Sequence, residues 1–168
     1  MKKLLCISLL ASALFASTSV NAQASPPAKV SQKLENGAIV SINYSQPSVK
    51  GRTIGKDLEP MDGKVWRTGA NEATVFETDK DLIIQGKKLP AGKYGLFTLF
   101  SGDSATVIFN KTWKQWGAFQ YKEADDALRV KANVTTESSP SEKMTFNINP
   151  SGEINLLWGN RKVVFTAK

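Results

Sequence analysis

The sequence predicts an all-β fold, a single antiparallel β-sandwich of jelly-roll or immunoglobulin-like architecture with one long ordered loop. Three observations predict it. Apolar residues recur at alternate positions through most of the chain, the spacing of strands with one buried face. Turn residues separate these runs at short intervals, the rhythm of sandwiches and barrels. No window carries the helical spacing of an amphipathic helix, and no repeat of 20–50 residues is visible.

Residues 1–22 stand apart from that pattern. Lys2 and Lys3 precede an apolar stretch from Leu4 to Ala16, and Ser17 to Ala22 is a short polar run ending in small residues. This is the three-part layout of a secretory signal peptide. The apolar run is shorter than the roughly 20 residues needed to cross a bilayer. Cleavage is expected after Ala22 (Val20-Asn21-Ala22), with Ala22-Gln23-Ala24 as the alternative site. Cys6 lies too early for lipid attachment. Residues 23–29, with Pro26-Pro27, read as a linker, and residues 30–168 as the domain.

The first hairpin pairs residues 29–35 with Ala38–Ser45 across Asn36-Gly37, the dipeptide favoured in two-residue type I′ turns. Strands are expected at 73–78, 81–85 and 93–100, and Ala105–Asn110 pairs back across Ser101-Gly102-Asp103. The runs GKYGLFTLF and ATVIFN are apolar on both faces, so they belong in the middle of the fold, covered on both sides. Residues 127–134 read as a strand, with single turns at 111–116 and 122–127; were 118–121 a strand, Phe119 and Tyr121 would share one face. Met144, Phe146 and Ile148 alternate, then Ile154, Leu156 and Trp158. Asn149–Gly152 and Gly159-Asn160 supply turns before Val163–Ala167 closes the chain. The exception is Gly55–Ala70. It lacks alternation and is punctuated by Gly55, Pro60, Gly63 and Gly69. Unstructured stretches longer than about 12–15 residues are uncommon in compact domains and often functional.

Composition narrows the chemistry. Removing 22 residues from 168 leaves 146, the size of one domain that folds without disulfides or metals. Its lone cysteine, Cys6, leaves with the leader, so no disulfide is expected. The chain has no histidine. The usual zinc and copper sites therefore cannot be built. Ser–His–Asp and Cys–His nucleophiles are excluded as well. No cofactor is expected, and catalysis would have to run on carboxylate, lysine, tyrosine or serine. Without Lys2 and Lys3 the formal charge of +7 becomes +5. The basic residues are scattered rather than gathered in a patch, so nucleic acid is not an expected partner.

Three clusters carry candidate chemistry. Trp66-Arg67-Thr68-Gly69-Ala70-Asn71-Glu72 brings an aromatic plate, a guanidinium, an amide and a carboxylate into seven residues. Arginine's planar donor fork suits bidentate pairing, and Glu72, Asp125 and Asp126 are its candidate partners. Either Arg67, Asn71 and Glu72 grip a small polar ligand, or they form a brace fixing the long loop to the sheet. Next, Trp113 to Tyr121 could form a sugar-stacking platform. The competing expectation is that Trp116 and Phe119 are core and Trp113 alone is partly exposed. Last, Asp126 with Glu72 could serve as a carboxylate pair for glycoside hydrolysis, if brought about 5–9.5 Å apart. Adjacent Asp125 and Asp126 cannot, because strand neighbours point to opposite faces.

The run GRTIGKDLEPMDGKVWRTGANEATVF (residues 51–76), followed by LPAGKYGLFTLF, VIFNK, WGAFQY and DALRV, resembles the bacterial secreted family catalogued as domain of unknown function 2911. Met61-Asp62-Gly63 stands where its members often carry an aromatic. The resemblance implies an exported β-rich domain, brings no activity with it, and points to Arg52, Trp66, Arg67, Asn71, Glu72, Trp116, Asp126 and Arg129 as matching positions. The expectation is an exported domain, periplasmic or extracellular. It would bind a small polar ligand or envelope glycan without catalysis, at a site built from the 51–72 loop and residues 116–129. A carboxylate hydrolase of glycans and a purely structural interaction module are the rivals.

Overall fold

The computed structural model describes residues 25–168; the expected leader and both cleavage points lie outside this range. The chain opens with a hairpin of β1 (Pro27–Lys33) and β2 (Ile39–Ser45), paired from Pro27↔Ser45 to Lys33↔Ile39. Pro27–Lys29, expected as linker, are strand. A proline is tolerated as the first residue of an edge strand, where its missing N–H is not needed. The turn is not type I′, because Gly37 alone is left-handed (φ 81°). Gly37 N donates to Leu34 O (2.8 Å) and Ala38 N to Asn36 Oδ1 (2.9 Å). The asparagine side chain thus caps the turn, and the left-handed step falls to glycine.

Eight further strands follow. They are β3 (Val65–Trp66), β4 (Thr74–Thr78), β5 (Leu82–Ile84), β6 (Lys87–Leu89), β7 (Gly92–Ser101), β8 (Ser104–Asn110), β9 (Asp126–Ile148) and β10 (Glu153–Thr166). The main sheet runs β1-β2-β4-β7-β8-β9-β10, with β3 beside β7, and all strands pair antiparallel; β5 and β6 form a small separate hairpin. The all-β antiparallel fold is as the alternation requires. Its layers belong to one curled sheet. The segment leaving β2 meets the far half of β9 through Val49 N→Glu142 O (2.8 Å), Met144 N→Pro47 O (3.0 Å) and the bridge Ser48↔Lys143.

Gly159-Asn160 is not a turn between strands but a bulge inside β10, with register shifts on either side of Gly159 (φ 58°). Bulges bend a strand without ending it. Here the bend lets the long β9–β10 pair follow the curl. Between Thr136 and Ser141 their pairing lapses, and Pro140, which has no N–H to contribute, sits in that gap.

The curled sheet has apolar residues on both faces. Its inner face holds the main core, including Ile42, Phe76, Leu96, Phe109, Phe146 and Phe165. Phe109 anchors it, edge-on to Phe76 at 5.0 Å and to Phe165 at 6.2 Å. Full burial of each such side chain contributes about 1.5–3 kcal/mol. The outer face carries a smaller cluster of Ala73, Phe97 and Ile108, covered by Ala118 and Tyr121. This is why β7 and β8 read as apolar on both sides: Leu96 faces in and Phe97 faces out.

Candidate functional site

Strands β3 and β4 lie on the same line beside β7. Trp66 pairs with Thr98 and Thr74 with Leu96, so eight steps of chain cover two steps of the neighbour. Residues 67–73 are therefore a loop thrown out of an otherwise continuous strand. Thr74 N→Arg67 O (3.2 Å) closes its base. Inside, Thr74 Oγ1 donates to Thr68 O (2.7 Å), Thr68 Oγ1 to Thr98 Oγ1 (3.2 Å) and Trp66 Nε1 to Gly69 O (3.0 Å). Thr68 is fully buried and left-handed, at φ 52°. Such a conformation costs a β-branched residue about 1–3 kcal/mol and persists only where surroundings over-determine it. Gly69 is required by space, since a Cβ there would lie 2.9 Å from Thr74 Oγ1 and 3.2 Å from Ser45 O.

These contacts involve three of the expected ligand-binding residues. Trp66 is buried in the main core, with its indole N–H spent inside the loop. Asn71 (φ 56°) donates through Nδ2 to Ser25 O (3.1 Å), tying down the start of the domain. Arg67 pairs with Glu59 at 2.9 Å, not with Glu72, Asp125 or Asp126. Glu59 precedes Pro60 in the long loop and carried no sequence signal. The contacts of Trp66, Arg67 and Asn71 are those of a brace.

Residues 111–125 form a cover over the outer face. Ala73 N donates to Gln115 O (3.0 Å), Gly117 N to Asn71 O (3.0 Å), and Glu72 bridges Trp116. The far end is fastened at Asp126, whose side chain is 6% exposed. It accepts from Tyr121 Oη (2.7 Å) and Asn110 Nδ2 (2.8 Å), with Arg129 at 3.4 Å. Arg129 also pairs with Glu123 at 2.7 Å, over a single 3-10 turn at Glu123–Asp125. Burial, reinforced by the bond to Asp126, pushes the Tyr121 phenol well above its ordinary pKa. Asp126 and Arg129 are therefore fasteners of the cover.

The aromatic residues of the cover reverse one expectation. Trp116 is 61% exposed and Phe119 86%, while Trp113 is 37% exposed. Residues 117–120 are turn, and no strand runs through 118–121. Left-handed Gly117 (φ 62°) breaks the alternation, so Ala118 and Tyr121 turn inward and Phe119 is left outside.

Two adjoining grooves flank this edge, and both are lined by Glu72, Ala73 and Val75. One, of ≈330 Å³, adds Trp113, Lys114, Gln115, Trp116 and Gln120; the other, of ≈340 Å³, adds Pro27, Lys29, Asn43 and Ser45 among others. Glu72 is the single carboxylate lining either groove, and Asp126 lines neither. The expected Glu72–Asp126 pair is therefore not assembled there. Gln115 is buried, and its Oε1 accepts no hydrogen bond among the described residues while Nε2 donates to Thr112 O (2.6 Å). An idle buried acceptor costs about 1–3 kcal/mol. Of the eight expected residues, Glu72 and Trp116 alone line these grooves.

Lys29 and Asn43 were missed, and Gln115 and Gln120 stood within the Trp113–Tyr121 cluster without being singled out. The legible sign for Lys29 and Asn43 was parity, since both are polar outward positions directly paired across β1 and β2. The cover residues had no such sign. Arg52 lies elsewhere. Its Nη2 donates to Ser48 O (2.8 Å) and its Nε to Val49 O (3.1 Å), beside a third hollow.

A family model described as "Protein of unknown function (DUF2911)" matches residues 25–167. No curated protein and no solved structure matches the chain.

Proposed function

The chain belongs to that family of unknown function, and from the grooves at Glu72 we propose that it is an exported, non-catalytic binding domain for a sugar unit of an envelope glycan. One observation carries this reading: Trp113 and Trp116 stand exposed beside a groove that also offers a carboxylate, two glutamines and a lysine. An aromatic ring covers the apolar face of a sugar, while carboxylate and amide groups hydrogen-bond its hydroxyls. Gln115 Oε1, without a donor among the described residues, is an acceptor suited to a hydroxyl. A glycosidase would need a second carboxylate across the cleft. With Glu72 alone in the grooves, binding is the better reading. Its place is the periplasm or the cell exterior.

The test is a ¹H–¹⁵N titration of the processed protein with neutral oligosaccharides and soluble peptidoglycan fragments, followed through the indole N–H signals. Saturable shifts at Trp113 and Trp116 are expected, with affinity at least tenfold weaker in Trp116→Ala and Glu72→Gln. A panel that leaves both indoles unmoved, or affinity unchanged in both variants, overturns the reading.

A further inference from the structure

The segment leaving β2 reverses at Val49–Arg52, where Arg52 N donates to Val49 O (3.0 Å). Both central residues are left-handed, Lys50 at φ 47° and Gly51 at φ 71°. Asparagine, aspartate or glycine ordinarily fills the first of these positions, because their side chains tolerate it. A lysine there is conformationally unfavourable, and its backbone is held by Lys50 N→Glu142 Oε1 (2.8 Å). Strained residues of this kind gather at binding sites.

A second observation lies beside it. Lys50 and Arg52 face Lys143, which β9 brings opposite Ser48. With Ser25, Pro26, Gln46 and Ser48 they line a hollow of ≈270 Å³ that no carboxylate lines. None of the three cations forms an ion pair among the described residues. Glu142, the nearest acid in sequence, accepts the Lys50 backbone N–H. The Arg52 guanidinium is held by two carbonyls through Nε and Nη2, which fixes its plane and leaves Nη1 without a hydrogen-bond partner among the described residues. Three like charges lining one hollow repel one another, and Glu142, whose carboxylate sits on the Lys50 backbone N–H, pairs with none of them among the described residues. A fixed guanidinium sharing one hollow with two lysines is an arrangement suited to a phosphoryl oxyanion.

We propose that the hollow at Lys50, Arg52 and Lys143 is a binding site for a phosphoryl group, either free phosphate or a phosphate ester carried on a sugar. It stands independently of the sugar groove. Isothermal titration of the processed protein with inorganic phosphate, glucose 6-phosphate and glucose tests it, with sodium chloride matched in ionic strength as control. Saturable binding of a phosphate species, absent with glucose and chloride, is expected. Tighter binding of glucose 6-phosphate identifies the esterified source, and tighter binding of inorganic phosphate the free one. Arg52→Gln and Lys143→Gln should each weaken binding about tenfold. Lys50→Gly separates site from scaffold, because it relieves the left-handed position while removing a charge. It should melt no lower than the parent yet bind at least fivefold more weakly. No saturable phosphate binding, or affinity unchanged in Lys50→Gly and Arg52→Gln, overturns the proposal.

Discussion

Gly95→Ala tests the claim that residues 111–125 are a cover pressed onto the outer face of the sheet. The added Cβ would lie 2.8 Å from Phe97 Cε2, 3.2 Å from Thr112 O and 3.3 Å from Trp113 Cα. A ring edge can swing aside, but the other two atoms are backbone. Thr112 is pinned by its N–H to Asn110 Oδ1 (2.9 Å) and its hydroxyl to Asp125 Oδ2 (3.2 Å). Gln115 Nε2 holds its carbonyl. Overpacking of this kind costs about 1–3 kcal/mol, and the pinned backbone places this case in the upper part of that range. Against it stands a gain of about 0.4–1 kcal/mol from the less flexible unfolded chain. The net expectation is a loss of about 1–2 kcal/mol, read from the urea midpoint at unchanged slope. Trp113 fluorescence should shift as the cover lifts. A variant as stable as the parent, with Trp113 unmoved, would refute the packing argument.

The two tryptophans should part company. Trp66→Ala empties the main core and frees Gly69 O, at about 3–5 kcal/mol, while Trp116→Ala should stay within about 0.5 kcal/mol; thermal melts of both decide it. Tyr121 contributes to stability on the alkaline side. Its folded pKa lies above the unfolded value of 10.0, so its contribution is complete below that pH and is lost as pH rises beyond it. Tyr121→Phe should flatten the alkaline limb of a stability-against-pH curve. At neutral pH it should cost about 1.5–3 kcal/mol, because the lost hydrogen bond ends on a carboxylate.

The fold was legible where one physical constraint acted alone. Alternation along β2, β4, β9 and β10 is set by a sheet with the core on one face, and the two-faced runs of β7 and β8 reported the cover before its residues were known. Legibility failed where glycine reset the chain. At Gly117 a left-handed step undid the parity that made Phe119 look buried; at Gly159 a bulge looked like a turn. In both, the residue type was visible in the sequence, but its consequence depended on what lay across the sheet. The same limit separated Arg67 from its partner. Glu59 is eight residues away with only the two-residue β3 between them, too short for a periodicity to connect the two.

That limit explains why the Trp-Arg-Thr-Gly-Ala-Asn-Glu run resisted division into site and brace. Its residues do both jobs in series. A strand that simply continued from Trp66 into Thr74 would present alternating side chains and nothing more. By leaving the line for residues 67–73 the chain spends Trp66, Thr68 and Gly69 on fixing the loop, and Arg67 and Asn71 on tying it to Glu59 and Ser25. Glu72, at its end, is then set between β2 and the cover, bridged to Trp116. The strain at Thr68 is tolerable because the loop is over-determined, and the over-determination is what fixes where Glu72 stands. Loosening the brace should therefore reach the groove. A variant such as Asn71→Ala, which touches neither groove, should weaken sugar binding through the displacement of Glu72 and Trp116, and affinity left intact in it would separate the two jobs again.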